Sequence, residues 1–201
     1  LIVDDNPKNL QLTGKLLKDE GFRISLAEDG SAALAILQST VPDLVLLDVM
    51  MPKMNGYDTC RAIKQNKQLE DIPIIFLTAK NQTEDLVEGF TVGGVDYIAK
   101  PFNREELLAR VRTHIELAYS RKKIVEMNRT RDKLYSIIAH DIRSPFATIS
   151  QLISAINKGY LNLTSDEVKE LFALLDKRTN ETLTLLNDLL EWTKFHSTNI
   201  N

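Results

Sequence analysis

Five polar residues follow short apolar runs in the first half of the chain, and their side chains could together transfer a phosphoryl group. Asp4 and Asp5 follow the first run and Asp48 the third, while Thr78 and Lys100 follow the fourth and fifth. If these runs are parallel strands, their carboxyl ends meet at one sheet edge, where ligands bind. Three crowded carboxylates attract a cation, and oxygen ligands suit Mg²⁺. A carboxylate nucleophile, a metal ion, a hydroxyl and an ammonium group would form a phosphoryl-transfer site.

A histidine in the second half is the other residue that could form a covalent intermediate. His140 is followed by Asp141 in the segment Ser-Ile-Ile-Ala-His-Asp-Ile-Arg-Ser-Pro-Phe. A neutral imidazole nitrogen is a competent nucleophile near neutral pH, and an adjacent carboxylate can orient it and accept its proton. Pro145, five residues later, removes a backbone hydrogen bond and would give a helix here a hinge.

Strand and helix patterns alternate through the first half of the chain. The apolar runs lie at residues 1–3, 23–27, 43–47, 74–77 and 97–99, and the amphipathic stretches lie at 7–19, 31–38, 57–64, 84–90 and from about 103. Glycine and proline are frequent only in this half, which indicates many turns. The alternation predicts an α/β doubly wound, five-stranded parallel sheet with helices on both faces.

The second half has almost no turn-forming residues and predicts two long helices. No glycine occurs from Phe102 to Lys158, so one helix should run through this span, with a phase break in its apolar seam near residues 125–127. A turn is expected at 158–160, and residues 164–167 offer capping groups for the next helix. Two long amphipathic helices cannot bury their apolar faces as one hairpin. We therefore expect an all-α helical hairpin that forms a dimeric four-helix bundle.

The overall composition excludes several classes of protein from consideration. The chain has 25 lysines and arginines against 28 aspartates and glutamates, a formal net charge of −3, so it has no basic field to attract nucleic acid. Its apolar runs are far shorter than the roughly 20 residues that cross a bilayer, and they show no signal-peptide pattern. A single cysteine, Cys60, excludes an internal disulfide. We expect a cytoplasmic segment without nucleic-acid or membrane partners.

Four segments of the first half resemble the receiver domain of two-component response regulators. They are Asp4-Asp5, the stretch Asp-Val-Met-Met-Pro-Lys-Met-Asn-Gly that starts at Asp48, Thr78-Ala79, and Lys100-Pro101-Phe102. The resemblance covers about residues 1–118 and implies a flavodoxin-like fold in which Asp48 is the phosphoacceptor.

The same resemblance implies roles for the residues around Asp48. Mg²⁺ would be held by Asp4, Asp5, Asp48 and the backbone carbonyl of Met50. Lys100 would contact the phosphoryl group. Thr78 would be the switch hydroxyl, and Tyr97 would be the aromatic side chain that turns inward when Thr78 is drawn toward the phosphate.

The segment around His140 resembles the H-box of the dimerisation and histidine phosphotransfer domain of sensor histidine kinases, over about residues 119–201. This resemblance implies that His140 is the phosphorylated histidine and Asp141 its acid–base partner. Ser144 stands where the commonest family pattern has Thr or Asn, the residue associated with positioning water for dephosphorylation. Ser144 is therefore a possible phosphatase residue. The resemblance also implies a coiled-coil linker and a homodimer through residues 119–201.

Both resemblances together predict a segment of a hybrid sensor kinase, in which a receiver phosphorylated on Asp48 regulates a dimeric histidine kinase core. ATP would act only through a kinase domain outside this segment, and the other expected partner is an upstream or downstream phosphorelay protein. Two alternatives stay open. One is a phosphorelay intermediate that exchanges a phosphoryl group between His140 and Asp48. The other is a non-catalytic dimerisation module controlled by phosphorylation.

Overall fold

The computed structural model describes residues 1–79, 83–158 and 164–197. The chain divides into two compact units, Leu1–Val125 and Glu126–Asn201. Each unit is described separately below.

The first unit is built on the predicted parallel sheet. Its strands are β1 (Ile2–Val3), β2 (Leu26–Ala27), β3 (Val45–Asp48), β4 (Ile74–Thr78) and β5 (Asp96–Ala99). They pair in the order β2-β1-β3-β4-β5, and every pair is parallel. The strand order reverses between β1 and β3. In doubly wound folds this position opens a crevice beyond the carboxyl ends of the strands, where ligands bind.

Five helices cover this sheet, and their N-termini are marked by polar side chains. They are α1 (Pro7–Asp19), α2 (Gly30–Leu37), α3 (Gly56–Gln65), α4 (Thr83–Thr91) and the first part of α5 (Arg104–Asn157). The side chains of Asn6, Asp29, Asn55 and Asn103 each accept a hydrogen bond from a backbone N–H of the following turn. Such caps satisfy donors that have no partner within the helix. The helix starts predicted at residue 7 and near residue 103 are confirmed.

The core lies on both faces of the sheet. Leu47 and Phe76 pack in one cluster with residues of α2 and α3, whereas Leu46 and Ile75 pack in another with residues of α1 and α5. Neighbouring residues of one strand therefore face opposite layers, as the pleat requires. Burial on both faces explains why the strands are continuous apolar runs rather than alternating ones. The predicted fold class is confirmed for this unit.

The second unit consists of two long helices. Helix α5 continues through Pro145 to Asn157, and α6 spans Ser165–Ser197, so the prediction of one long helix followed by another is confirmed. The turn predicted at 158–160 lies mostly outside the described residues. The backbone N–H and the hydroxyl of Thr164 both donate to Glu167 Oε2, at 2.8 and 2.7 Å. This arrangement caps α6 as the sequence predicts.

Large apolar side chains remain exposed along α5 and α6 in the single chain. Ile124 and Met127 are 59% and 54% exposed, and Phe146 and Phe172 are also exposed. Exposed apolar strips of this kind are stabilised when they pack against another surface. In the part of the chain that the structure describes, we find no helix that could cross a membrane.

Candidate functional site

Three carboxylates meet at the edge of the sheet where the strand order reverses. Asp4 follows β1 and Asp48 ends β3, and these strands are paired neighbours with Val3 opposite Leu47. One carboxylate oxygen from each of Asp4, Asp5 and Asp48 lies within 4.8 Å of the others. Asp4 and Asp48 are 1% and 6% exposed, whereas Asp5 is exposed. The sheet therefore brings the three acidic residues together, with one open to solvent.

Lys100 lies between two of these carboxylates. It follows β5, and its backbone N–H donates to the Thr78 carbonyl at 2.7 Å. Its Nζ lies 2.7 Å from Asp4 Oδ2 and 3.0 Å from Asp48 Oδ2. A cation in this position offsets two buried negative charges that would otherwise be costly to bury.

Burial and neighbouring charges shift the pKa of both partners in this ion pair. Burial raises the pKa of the Asp48 carboxyl, and the Asp4 charge adds to the rise. Hydrogen bonds from Lys100 and from the Met50 backbone N–H oppose the rise without cancelling it. Burial lowers the pKa of Lys100, but its hydrogen bonds to Asp4 and Asp48 outweigh that effect, so the net pKa is raised. Lys100 is therefore held in its charged form.

The loop after β3 requires a glycine to pass beside Asp48. A Cβ atom added at Gly56 would lie 2.3 Å from the Asp48 carbonyl oxygen and 2.8 Å from Val49 Cα. The Gly56 N–H donates to the Val49 carbonyl at 3.0 Å. This close backbone approach fixes the segment that carries Asp48 and Met50.

Thr78 and Tyr97 line one small cavity of the first unit. Thr78 ends β4 and is buried, and Tyr97 lies on β5 opposite Phe76. The other residues that line the cavity are Val49, Tyr57, Phe76, Gly89, Phe90 and Asp96. The Tyr97 ring packs edge-on against Phe90, with 6.3 Å between centroids. The two proposed switch residues therefore share one packing environment.

A polar network at the start of β5 borders Tyr97, and the sequence analysis did not find it. Arg110 Nη1 donates to both oxygens of Asp96 at 2.8 Å, and its Cζ lies 5.8 Å from the centroid of the Tyr97 ring. His114 Nε2 lies 3.0 Å from Asp96 Oδ2. Burial raises the pKa of the Asp96 carboxyl, but bonds from Arg110, the Tyr97 N–H and His114 outweigh this and hold the pKa below its usual range.

Asp4 has a second set of partners that the sequence analysis also missed. The Asn9 side-chain Nδ2 donates to Oδ1 and Oδ2 of Asp4 at 3.0 and 3.1 Å, and the Asn6 backbone N–H donates to Oδ1 at 2.9 Å. Asn9 lies in the first turn of α1, where a polar side chain gives no sequence signal beyond ordinary solvation.

His140 lies in the second unit, on an exposed position of α5. Ser144 is also exposed and lies four residues further along the same helix, so the two residues share one helix face. Asp141 is part of the helix, and its side chain lies outside the described part of the chain.

The donor set of the first unit fits a hard divalent cation. Asp4, Asp5 and Asp48 offer carboxylate oxygens at one partly open edge, and Mg²⁺ prefers a few such ligands while it keeps several waters. The three carboxylates and the Lys100 ammonium group therefore lie together at one edge of the sheet.

Comparison with known proteins agrees with this geometry. Residues 1–112 match the family model of the response regulator receiver domain. The chain belongs to the response regulator receiver family. Residues 130–198 match the model of the His Kinase A (phospho-acceptor) domain. The receiver domain is therefore followed by a histidine kinase phosphoacceptor domain, as both resemblances indicated.

Two curated relatives are similar to more than half of the chain. The DNA-binding response regulator MtrA of Mycolicibacterium smegmatis is 44% identical over 115 residues, which are 57% of this chain and 49% of MtrA. A probable cyclic di-GMP phosphodiesterase of Vibrio cholerae is 43% identical over 128 residues, 64% of this chain and 29% of that protein. The chain thus spans about half or less of the length of these relatives.

Solved structures show the same fold for the first unit. The receiver domain of a signal transduction histidine kinase from Syntrophus aciditrophicus has a TM-score of 0.54 and 33% identity, covering 57% of this chain and 87% of that one. The receiver domain of a sensor histidine kinase from Pseudomonas aeruginosa PAO1 also has a TM-score of 0.54 and 33% identity. The match covers 57% of this chain and 94% of that one. That structure is described with a magnesium ion coordinated in its active-site cleft.

Proposed function

We propose that this chain regulates a dimeric histidine kinase core through phosphorylation of Asp48 in its receiver domain. The chain carries a receiver domain and a histidine kinase phosphoacceptor domain, which places it in two-component signal transduction. The observation that carries the proposal is the position of Lys100, whose Nζ bridges Asp4 and Asp48 at 2.7 and 3.0 Å. A charged ammonium beside a buried carboxylate is suited to neutralise a phosphoryl group on that carboxylate.

The proposed reaction is a single transfer of a phosphoryl group. A carboxylate oxygen of Asp48 forms the new bond to phosphorus, while the bond between phosphorus and the donor's leaving atom breaks and the donor keeps that electron pair. Lys100 neutralises the phosphoryl oxygens. Asp4, Asp5, Asp48 and the Met50 carbonyl are the proposed ligands of Mg²⁺, which when bound would supply further charge neutralisation.

The response to phosphorylation is proposed to run through Thr78 and Tyr97. Attraction of the Thr78 hydroxyl toward the phosphoryl group would free space in the cavity that both residues line. Tyr97 would then turn inward and leave its contacts with Phe90 and Arg110. Because Arg110 belongs to α5, that helix is the proposed route of the signal to the second domain.

The second domain is proposed to begin at residue 119 and to carry the phosphorylated histidine. His140 is the proposed phosphoacceptor, Asp141 its acid–base partner and Ser144 a possible phosphatase residue. Exposed apolar side chains along α5 and α6 support a homodimer through residues 119–201. The proposed partners are an ATP-binding kinase domain and a phosphorelay protein in the cytoplasm, with ATP acting only through that kinase domain.

A phosphorelay between His140 and Asp48 is the second candidate. It is supported by the exposed position of His140 on α5. In this reaction the phosphorus–nitrogen bond of phosphohistidine would break as the phosphorus–oxygen bond to Asp48 forms, or the reverse.

Mass spectrometry that maps phosphorylated residues tests both candidates. The full chain is treated with a small-molecule phosphodonor and Mg²⁺, and wild type is compared with Asp48→Asn and His140→Gln. We expect a phosphoryl group on Asp48 that is lost in Asp48→Asn and without Mg²⁺. Later label on His140 that requires Asp48 would favour the relay. Absence of label on Asp48 in wild type would contradict the proposed function.

A further inference from the structure

We propose that Asn9 is a positioning residue for the metal-binding carboxylate of Asp4. The inference rests on the proposed function, because it takes Asp4 to be a ligand of Mg²⁺. It adds a residue of α1 to a site otherwise built from residues that follow the strands.

The donors that hydrogen-bond to Asp4 come from the start of α1 and from Lys100. Oδ1 accepts from the Asn6 N–H at 2.9 Å and from Asn9 Nδ2 at 3.0 Å. Oδ2 accepts from Asn9 Nδ2 at 3.1 Å and from Lys100 Nζ at 2.7 Å. Asn9 is thus the donor that contacts both oxygens of the carboxylate. A donor shared by both oxygens restrains rotation of the carboxylate plane more than a bond to either oxygen alone.

Restraint of this kind matters because Asp4 is almost fully buried. Lys100 already contacts Asp4 Oδ2 from the side of Asp48, and a cation shared by Asp4 and Asp48 must compete with that ammonium. When the contact with Lys100 loosens, the bonds from Asn6 and Asn9 keep the carboxylate oriented toward the cation. Groups that hydrogen-bond a metal ligand commonly change metal affinity by about 10–100-fold when they are removed.

The start of α1 is well placed to supply this donor. The Asn6 side chain accepts from the Lys8 N–H at 3.0 Å, and Pro7 occupies the first helical position. This cap fixes the first turn, so Asn9 is held by the backbone before any ligand binds. Leu10, next to Asn9, anchors the same turn in the core. The Asn9 amide is therefore preorganised on a rigid element rather than on a loop.

The test compares two variants that lack the amide but differ in side-chain volume, Asn9→Ala and Asn9→Leu. Gln11→Leu is the control, because Gln11 is an exposed polar residue of the same helix. Binding of MgCl₂ to the metal-free full chain is measured by isothermal titration calorimetry. We expect both Asn9 variants to bind Mg²⁺ about tenfold more weakly than wild type, and Gln11→Leu to bind as wild type does.

A second readout separates positioning from general damage to the fold. Phosphorylation by a small-molecule donor is followed at increasing Mg²⁺. In both Asn9 variants the Mg²⁺ concentration for half-maximal rate should rise about tenfold, while the rate at saturating Mg²⁺ should stay within about twofold of wild type. A loss confined to Asn9→Leu would indicate a steric clash and overturn the proposal, as would a fall in the saturated rate with unchanged Mg²⁺ dependence.

The outcomes also separate this inference from the proposed function. If wild type binds Mg²⁺ and both Asn9 variants bind it equally well, the role of Asn9 is overturned while the metal site stands. If wild type binds no Mg²⁺, the metal site itself is overturned, and the role of Asn9 with it.

Discussion

At the scale of single residues, the first unit relies on cations that lie between acidic groups. Lys100 contacts Asp4 and Asp48 at the crevice, and Arg110 contacts Asp96 at the start of β5. In each case the partial burial of the carboxylates makes the partner necessary, since an unpaired buried charge is costly. These pairs link the ends of strands to each other and to α5, and Arg110 also contacts Tyr97, one of the side chains proposed to switch.

The pair of Arg110 and Asp96 predicts a pH dependence of stability. The folded-state pKa of Asp96 is lowered, so its stabilising contribution is present above its unfolded pKa of about 3.9 and is lost as pH falls through the folded value. In Arg110→Met, burial is no longer offset by the guanidinium, and the folded pKa rises. The free energy of unfolding of this variant should therefore be lower than that of wild type at pH 7, and the difference between the two should narrow as the pH falls below about 4.

Urea unfolding between pH 3 and 7, in buffer without Mg²⁺, measures this effect. Arg23→Met serves as the control, because Arg23 is an exposed arginine of the same unit. Identical pH profiles for Arg110→Met and wild type would show that the guanidinium does not hold the pKa of Asp96 down.

At the scale of elements, the fold follows from signals that lie close together in the sequence. The apolar runs became strands because both faces of a parallel sheet are buried, and α5 is uninterrupted because no glycine occurs between Phe102 and Lys158. A strand was expected over 23–27, yet only Leu26–Ala27 pair with β1. Pairing at a sheet edge depends on the neighbouring strand, which β1 supplies over two residues only.

The candidate site was only partly predictable from the sequence, because some of its contacts depend on how distant elements pack. Asp4, Asp5 and Asp48 could be placed together because strand ends converge in any parallel sheet. Asn9 could not be found, since its role depends on the distance between the first turn of α1 and a buried carboxylate. The contact of His114 with Asp96 depends likewise on how α5 packs against β5, which no local pattern records.

The close packing at Gly56, where the loop after β3 meets α3, predicts that one added methyl group lowers the stability of the fold strongly. In Gly56→Ala the new Cβ would lie 2.3 Å from the Asp48 carbonyl oxygen, so backbone must move. We expect the free energy of unfolding to fall by about 1–3 kcal/mol. Gly14→Ala is the control, because its Cβ would meet nothing closer than a Leu26 side-chain atom at 3.4 Å. That variant should match wild type or be more stable by up to about 1 kcal/mol.

Urea unfolding of Gly56→Ala and Gly14→Ala measures these changes in the free energy of unfolding. Equal stability of Gly56→Ala and wild type would contradict the close approach of the loop to Asp48. Phosphorylation of Asp48 should also slow in Gly56→Ala, because the segment that carries the nucleophile is displaced.

At the scale of the whole molecule, the chain joins a receiver domain to two long helices that have exposed apolar residues within the described part of the chain. The receiver closes its core on both faces of the sheet, whereas Ile124, Met127, Phe146 and Phe172 stay exposed. A self-contained domain followed by an uncovered helical surface is the arrangement expected of a module that acts as a dimer.

The proposed dimer predicts how the oligomeric state responds to single substitutions. The full chain should sediment as a dimer in analytical ultracentrifugation. Leu134→Glu places a charge at a partly buried position of α5 within residues 119–201 and should shift the chain toward monomer. Leu12→Glu changes an exposed leucine of α1 and should leave the dimer intact. A monomeric wild type, or equal dissociation of both variants, would contradict dimerisation through residues 119–201.

The central claim is that phosphorylation of Asp48 alters the domain that carries His140. Hydrogen–deuterium exchange of the full chain measures this directly, with and without a small-molecule phosphodonor and in the presence of Mg²⁺. We expect the exchange of residues 126–157 to change on phosphorylation in wild type and to stay constant in Asp48→Asn. Unchanged exchange in a wild-type chain that carries the phosphoryl group on Asp48 would contradict the account.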